Sequence, residues 1–146
     1  MLLSQATRYL KIANLADKDN FIELVKELYE ESVYSTISPF NQDNVEKMLL
    51  DSFESEQSDI CTVLLMEDKA TIGLMTMSHT DLSFMSKGKV AIELAFWIKP
   101  EYRDFGSYRM LMQAYFYWAR QIGCSAAFVG KLKNKNSPEY YTLRRL

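Results

Sequence analysis

The stretch KVAIELAFWI, residues 89–98, constrains the fold more than any other part of the chain. It is rich in β-branched and aromatic residues and largely apolar on both faces, as a central strand covered on two sides must be. Pro100 ends it, since proline has no N–H with which to continue a ladder. A turn holding one glycine, RDFGSY, comes next, and then Leu111, Tyr115, Trp118 and Ile122 recur at helical spacing. Gly123 reads as the residue that stops this helix, and CSAAFVG, 124–130, as another short buried strand. Strand, helix and strand in succession make a βαβ unit, so strands 89–98 and 124–129 are expected to be parallel.

The flanking sequence fills in the remaining layers. RYLKIA, 8–13, is β-like. Phe21, Leu24, Val25 and Leu28 form one apolar stripe of a helix over about 18–33, with Asp17 its expected N-cap. Pro39 interrupts, because it disfavours helix at Ser38. A second helix is expected over about 43–54, opened by a capping box of Asp43 and Glu46. CTVLLMED and TIGLMTMSHTDL, near 61–68 and 71–82, read as a hairpin of two strands, and SFMSKGK as a polar loop with Gly88 at its tip. SPEYYTLRRL reads as a last helix, with Ser137 as N-cap and Pro138 at its first position. The order β-α-α-β-β-β-α-β-α describes an α/β sandwich with a mixed sheet, in a single domain spanning 1–146.

Composition narrows the function classes. With one histidine, His79, and two cysteines, Cys61 and Cys124, a transition-metal site is not expected. The cysteines sit in apolar stretches and read as buried thiols in a reducing, cytoplasmic compartment. No apolar run is long enough to span a bilayer, and MLLSQATRYLKIA lacks the pattern of a signal peptide. The net charge of −2 conceals an asymmetry: residues 1–60 carry 5 Lys/Arg against 12 Asp/Glu, and residues 61–146 carry 12 against 7. A basic half facing an anionic ligand and an acidic half facing a cationic one would fit; so would solvated faces that assort by chance. Neither half is basic enough for a general nucleic-acid binder, and KLKNK with RR has no stacking motif beside it.

The glycine turn carries the main functional question. Where a helix starts after a buried parallel strand, its first N–H groups lack partners and attract anions. A glycine there lets phosphate oxygens reach the backbone, and Arg103 adds a cation able to fork onto them. A lone glycine before a helix is also an ordinary turn residue, so spacing alone leaves both readings open.

The run Ile98-Lys99-Pro100-Glu101-Tyr102-Arg103-Asp104-Phe105-Gly106-Ser107-Tyr108, in this order of elements, resembles the GNAT superfamily of N-acetyltransferases. That family's motif reads Gln/Arg-x-x-Gly-x-Gly/Ala, often within V-x-P-E-Y-R-G-x-G-x-G. Arg103 and Gly106 match it, while Asp104 and Tyr108 stand where small residues are common. The likeness extends over nearly the whole chain. VAIELAFWIKPEYR and YWARQIGC are similar to members carried by bacteriophages.

The resemblance implies an acyl-CoA N-acyltransferase-like three-layer α/β sandwich with a mixed, mostly antiparallel sheet and one parallel βαβ unit. It implies acetyl-CoA as co-substrate and direct attack by an amine, from a small molecule or a protein lysine, on the thioester. Arg103, Asp104, Phe105, Gly106, Ser107 and Tyr108 would hold the pyrophosphate, with Asn134 beside them. Backbone groups of Phe96, Trp97 and Ile98 would line the pantetheine arm.

Glu93, the one ionisable residue between Lys89 and Lys99, falls where many members place a catalytic glutamate. Either it is the general base, or it is a structural carboxylate paired with a cation or set at the sheet rim. The later motif, Asn-x-x-Ala-x-x-x-Tyr-x-x-x-Gly-Phe, fits in two registers. From Asn134 the tyrosine is Tyr141, a candidate acid. From Asn136 its place is taken by Leu143, and Tyr140 and Tyr141 are then packing residues of a helix.

By the same resemblance, a sequence that stops at Leu146 is expected to lack the family's final two strands, which complete the sheet and one wall of the acceptor site. An exposed sheet edge open to another chain is therefore expected. The acceptor would approach from the first two helices and the 34–42 loop, where Glu27, Glu30 and Glu31 suit a cationic acceptor or form a solvated face. The rival reading is a non-catalytic member of the same fold, structural or interacting, with weak or lost cofactor binding.

Overall fold

A computed structural model describes residues 7–53, 59–131 and 140–146, with the backbone alone at 131 and 140. Strand β1 (Arg8–Ile12) is followed by helices α1 (Lys18–Glu31) and α2 (Gln42–Asp51). Strands β2 (Cys61–Glu67), β3 (Ala70–Ser83) and β4 (Ser86–Ile98) come next, then α3 (Phe105–Gln121), β5 (Ala126–Lys131) and β6 (Tyr140–Arg145). The strands lie in one sheet in chain order, β1 to β6, and β4–β5 is its parallel pair. The other neighbours run antiparallel. The expected mixed sheet with one parallel βαβ unit is therefore present.

Helices cover both faces of the sheet, which explains why the central strands are apolar on both sides. Phe21, Leu24 and Leu49 of α1 and α2 pack with Leu64, Leu74 and Trp97. Leu111, Tyr115 and Ala119 of α3 pack on the opposite face with Leu65, Met75 and Met77. Gly123, at φ +85°, is the left-handed residue that ends α3, as read from the sequence.

Four local expectations are corrected. Asn41, not Asp43, caps α2, accepting the Asn44 N–H at 3.1 Å. Asp17 holds the N-cap position of α1 as expected, but its side chain makes no cap bond there; its carboxylate accepts the Asn14 N–H at 2.8 Å and pairs with Lys11 at 3.0 Å. The β3–β4 turn is at Phe84 and Met85, and Gly88 lies inside β4. The terminal helix is a strand: Tyr140–Arg145 pairs with β5 over six residues, including Phe128↔Leu143 and Gly130↔Tyr141. YYTLRR has no apolar stripe at helical spacing, and β5 offers an open edge whose backbone groups need partners. Ser137 and Pro138, its expected cap residues, lie outside the described residues.

Candidate active site

Strands β4 and β5 are paired over only two positions, Val90↔Ala126 and Ala91↔Ala127. Across β4, on β3, Thr76 faces Ala95 while the next residue, Met77, faces Glu93, so Leu94 has no partner. Such a bulge bends its strand and increases the local twist, which accounts for the second half of β4 leaving β5. It also reverses the facing of side chains. Ala91 packs on the α3 side, whereas Ala95 and Trp97 pack on the α1–α2 side. Strict alternation, which puts all three on one face, fails at Leu94 for that reason.

The parting of the strands opens a cleft of about 1270 Å³. Its floor is β4 from Glu93 to Ile98. One wall comes from α1, α2 and the segment between them, with Val25, Leu28, Tyr29, Phe40, Val45 and Met48. Arg103, Asp104 and Tyr108 line it at the start of α3, and Gly130 and Tyr141 on β5 and β6. The Tyr29 and Phe40 rings lie 5.3 Å apart, and the Tyr29 hydroxyl donates to the Ser38 carbonyl at 2.5 Å, holding the loop to the helix.

Glu93 is half-buried in this gap. Removal from water pushes its carboxyl up to about 7, partly offset by a hydrogen bond from the Gly130 backbone N–H. A Cβ placed on Gly130 would stand 3.1 Å from Glu93 Oε2 and 3.1 Å from Tyr141 Cε1. The absence of a side chain at Gly130 therefore lets both groups close over β5. Tyr115 of α3, buried beneath, donates its hydroxyl to the Phe128 carbonyl at 2.8 Å. Burial and the neighbouring Glu93 push that phenol well above the usual tyrosine range, so it stays protonated.

The start of α3 is occupied by its own side chains. Asp104 is the N-cap, and its Oδ1 accepts the Ser107 N–H at 2.7 Å. Arg8 of β1 reaches the same place, donating to Asp104 Oδ2 and, at 2.6 Å, to Ser107 Oγ, while its Nε pairs with Glu67 at 3.3 Å. The Ser107 N–H and the Arg8 guanidinium together hold the Asp104 carboxyl below the usual range. Arg103 turns back onto β4. Because the Lys99 N–H bonds to Ile72 on β3, the Ile98 carbonyl of the same peptide points away from β3, and Arg103 Nε donates to it at 2.8 Å. The guanidinium carbon lies 4.4 Å from the centre of the Trp97 ring, a cation–π contact. Trp97 Nε1 in turn donates to Glu27 at 3.0 Å, which ties α1 to β4.

Thus the cleft brings together Glu93, Tyr141, Phe96, Trp97, Ile98, Arg103, Asp104 and Tyr108. It does not reach Phe105, which is exposed, or Ser107, which is fully buried. Gly106 is in the first turn of α3, where a Cβ would meet only Asp104 Oδ1 at 3.4 Å. Tyr108 packs edge-on against Phe96, with ring centres 5.9 Å apart. Asn134 lies outside the described residues. His79 is on β3, bonded to Asp59 at 2.7 Å, and does not line the cleft. Among the described residues no three His, Cys, Asp or Glu side chains converge as a metal ion requires, and no helix is long and apolar enough to cross a membrane. Arg8 and Gly130 were not singled out by sequence reading. A glycine within a β-like run was the available signal for Gly130; Arg8 had none.

Residues 22–144 match the model of the acetyltransferase (GNAT) family. Similar solved structures share the fold. An aminoglycoside N-acetyltransferase AAC(6')-Iy in complex with CoA aligns with TM-score 0.71 and 15% identity, over 87% of this chain and 78% of that one. The same protein with a bisubstrate analogue, CoA-S-monomethyl-acetylneamine, aligns with TM-score 0.69 and 15% identity, over 89% and 82%. A GNAT family acetyltransferase of Staphylococcus aureus subsp. aureus USA300_TCH1516 aligns with TM-score 0.58 and 20% identity, over 90% and 91%. No curated protein sequence matches the chain.

Proposed function

The chain belongs to the acetyltransferase (GNAT) family, and from that premise we propose that it transfers an acetyl group from acetyl-CoA to a primary amine held in the cleft over β4. The observation that carries this reading is the position of Glu93. A carboxylate raised to about 7 stands where two parallel strands part, beside a cleft open to an acceptor.

The residues present suit the co-substrate. The gap offers the edge of β4 at Phe96, Trp97 and Ile98 to the amide-bearing pantetheine arm. Arg103 and the Phe105 and Gly106 N–H groups, at the open end of α3, would hold the phosphates. When bound, acetyl-CoA supplies the activated acetyl thioester. Glu93, as carboxylate, takes a proton from the acceptor's ammonium, freeing the nitrogen lone pair for attack. The Tyr141 hydroxyl returns a proton to the departing thiolate. The overall step forms one N–C bond, breaks one S–C bond and releases one proton.

The likeness in pattern to phage-borne members supports a phage origin and a cytoplasmic place of action. A second reading, a non-catalytic protein of this fold, is favoured by one observation: Asp104 Oδ1 takes the Ser107 N–H that a phosphate would use. Release of free CoA thiol from acetyl-CoA in the presence of simple primary amines separates the two. The enzyme releases thiol in proportion to both reactants; no amine-dependent release at millimolar levels of each would contradict it.

A further inference from the structure

The wall facing Glu93 across the cleft is made by α1, α2 and their connecting segment. It presents Val25, Leu28, Tyr29, Phe40, Val45 and Met48, with neutral polar contributions from Ser38, Asn41 and Asn44. Three carboxylates are found among the described residues of the lining: Glu31, Glu93 and Asp104. Asp104 is bound to Arg8. Glu27, which the sequence groups with Glu30 and Glu31 as an acidic face, is not part of the lining; it is held by Trp97 Nε1 and by Lys99 at 3.5 Å. Among the described residues that leaves Glu93, with the exposed Glu31, to meet positive charge from an acceptor.

A polycation needs a carboxylate or polar partner for each ammonium group it brings out of water. The stretch of wall from Val25, Leu28, Phe40, Val45 and Met48 offers none, the neutral Ser38, Asn41 and Asn44 carry no opposing charge, and the apolar stretch rewards an apolar body instead. Resting on the acetyl-transfer reading above, we infer that the acceptor is a monoamine: one primary amine carried on an alkyl or aryl body. Its ammonium meets Glu93, and its body lies against Phe40, Tyr29 and Met48. A sugar bearing several amines, or a polyamine, is the wrong chemistry for this wall.

The test compares hexylamine and phenethylamine with ethanolamine, spermidine, kanamycin and a lysine-containing peptide, read as thiol release from acetyl-CoA. The apolar monoamines should show kcat/KM at least tenfold above all the others. Phe40→Ala should reduce the ratio of hexylamine to ethanolamine kcat/KM about fivefold or more; Met48→Ser serves the same purpose if the first variant does not fold. A preference for spermidine, kanamycin or the peptide, or equal use of hexylamine and ethanolamine, would overturn the acceptor class while leaving acetyl transfer standing. Ligand-observed NMR of each amine with the protein alone covers the case of no turnover. Binding of hexylamine over spermidine then supports the class and removes the transfer reading, and the absence of such binding overturns the class too.

Discussion

Glu93 and Tyr141 come from strands separated by β5 and both close on one residue of it, each with an atom 3.1 Å from the point where a Cβ on Gly130 would stand. A methyl group there would be closer to both than ordinary contact allows, so one or the other must give way by a few tenths of an ångström. Gly130→Ala is therefore expected to push the carboxylate and the phenol apart. Turnover should fall about tenfold or more, with a loss of stability of about 1–3 kcal/mol from overpacking. Wild-type turnover in a folded Gly130→Ala protein would show that the two groups do not act together.

In the proposed reaction Glu93 would set the pH response. As a base it must be deprotonated, so kcat/KM should rise with pH through about 7 and level off above it. Glu93→Gln should lower turnover by about two to four orders of magnitude and leave acetyl-CoA affinity nearly unchanged. Stability runs in the opposite direction. Between the ordinary value of 4.5 and about 7 the folded protein holds a proton that the unfolded chain has lost, so this residue's contribution falls as pH rises. Glu93→Gln should accordingly melt above the wild type at pH 8, with the difference gone near pH 4. An unchanged pH profile in the variant would remove Glu93 as the base.

Asp104 is a carboxylate at the place where phosphates are expected. Its replacement should separate two effects. Asp104→Ala removes the bond to the Ser107 N–H and should lower the melting temperature, whereas Asp104→Asn can still cap. Both remove the negative charge that pairs with Arg8, so both should tighten acetyl-CoA binding several-fold in calorimetric titration. Weaker binding in both variants would mean that Asp104 supports the co-substrate site instead of competing with it.

Gly106 has no left-handed backbone, unlike Gly123, and an added methyl group would meet only Asp104 Oδ1 at 3.4 Å. The fold therefore does not require glycine here. Gly106→Ala should stabilise the protein by about 0.5–1 kcal/mol through helix propensity. If phosphate approaches the backbone at this position, the same variant should raise the KM for acetyl-CoA several-fold. Stabilisation with an unchanged KM would place the phosphates elsewhere.

The layers of the fold were legible because they rest on periodicity. The 89–98 run, the 111–122 stripe and the 124–130 run each have one solution, and they impose a parallel βαβ unit. The bulge at Leu94 was not legible, since register depends on the pairing of two strands and not on either alone. Its consequence is that Ala91 and Ala95 face opposite sides. Tyr141 is expected on a helix from the Ser137 and Pro138 cap pattern but reaches the cleft from a strand, because Tyr140, Tyr141 and Thr142 favour strands and β5 offers them an open edge. Arg8, 96 positions from Asp104, could be connected to it only by the sheet.

The central claim, that the cleft between β4 and β5 takes acetyl-CoA, is tested most directly by calorimetric titration of the protein with acetyl-CoA. One equivalent should bind, and Arg103→Glu, which reverses the charge beside the Ile98 carbonyl, should abolish the signal while the protein stays folded. No heat of binding up to millimolar acetyl-CoA, or equal binding by Arg103→Glu, would contradict it.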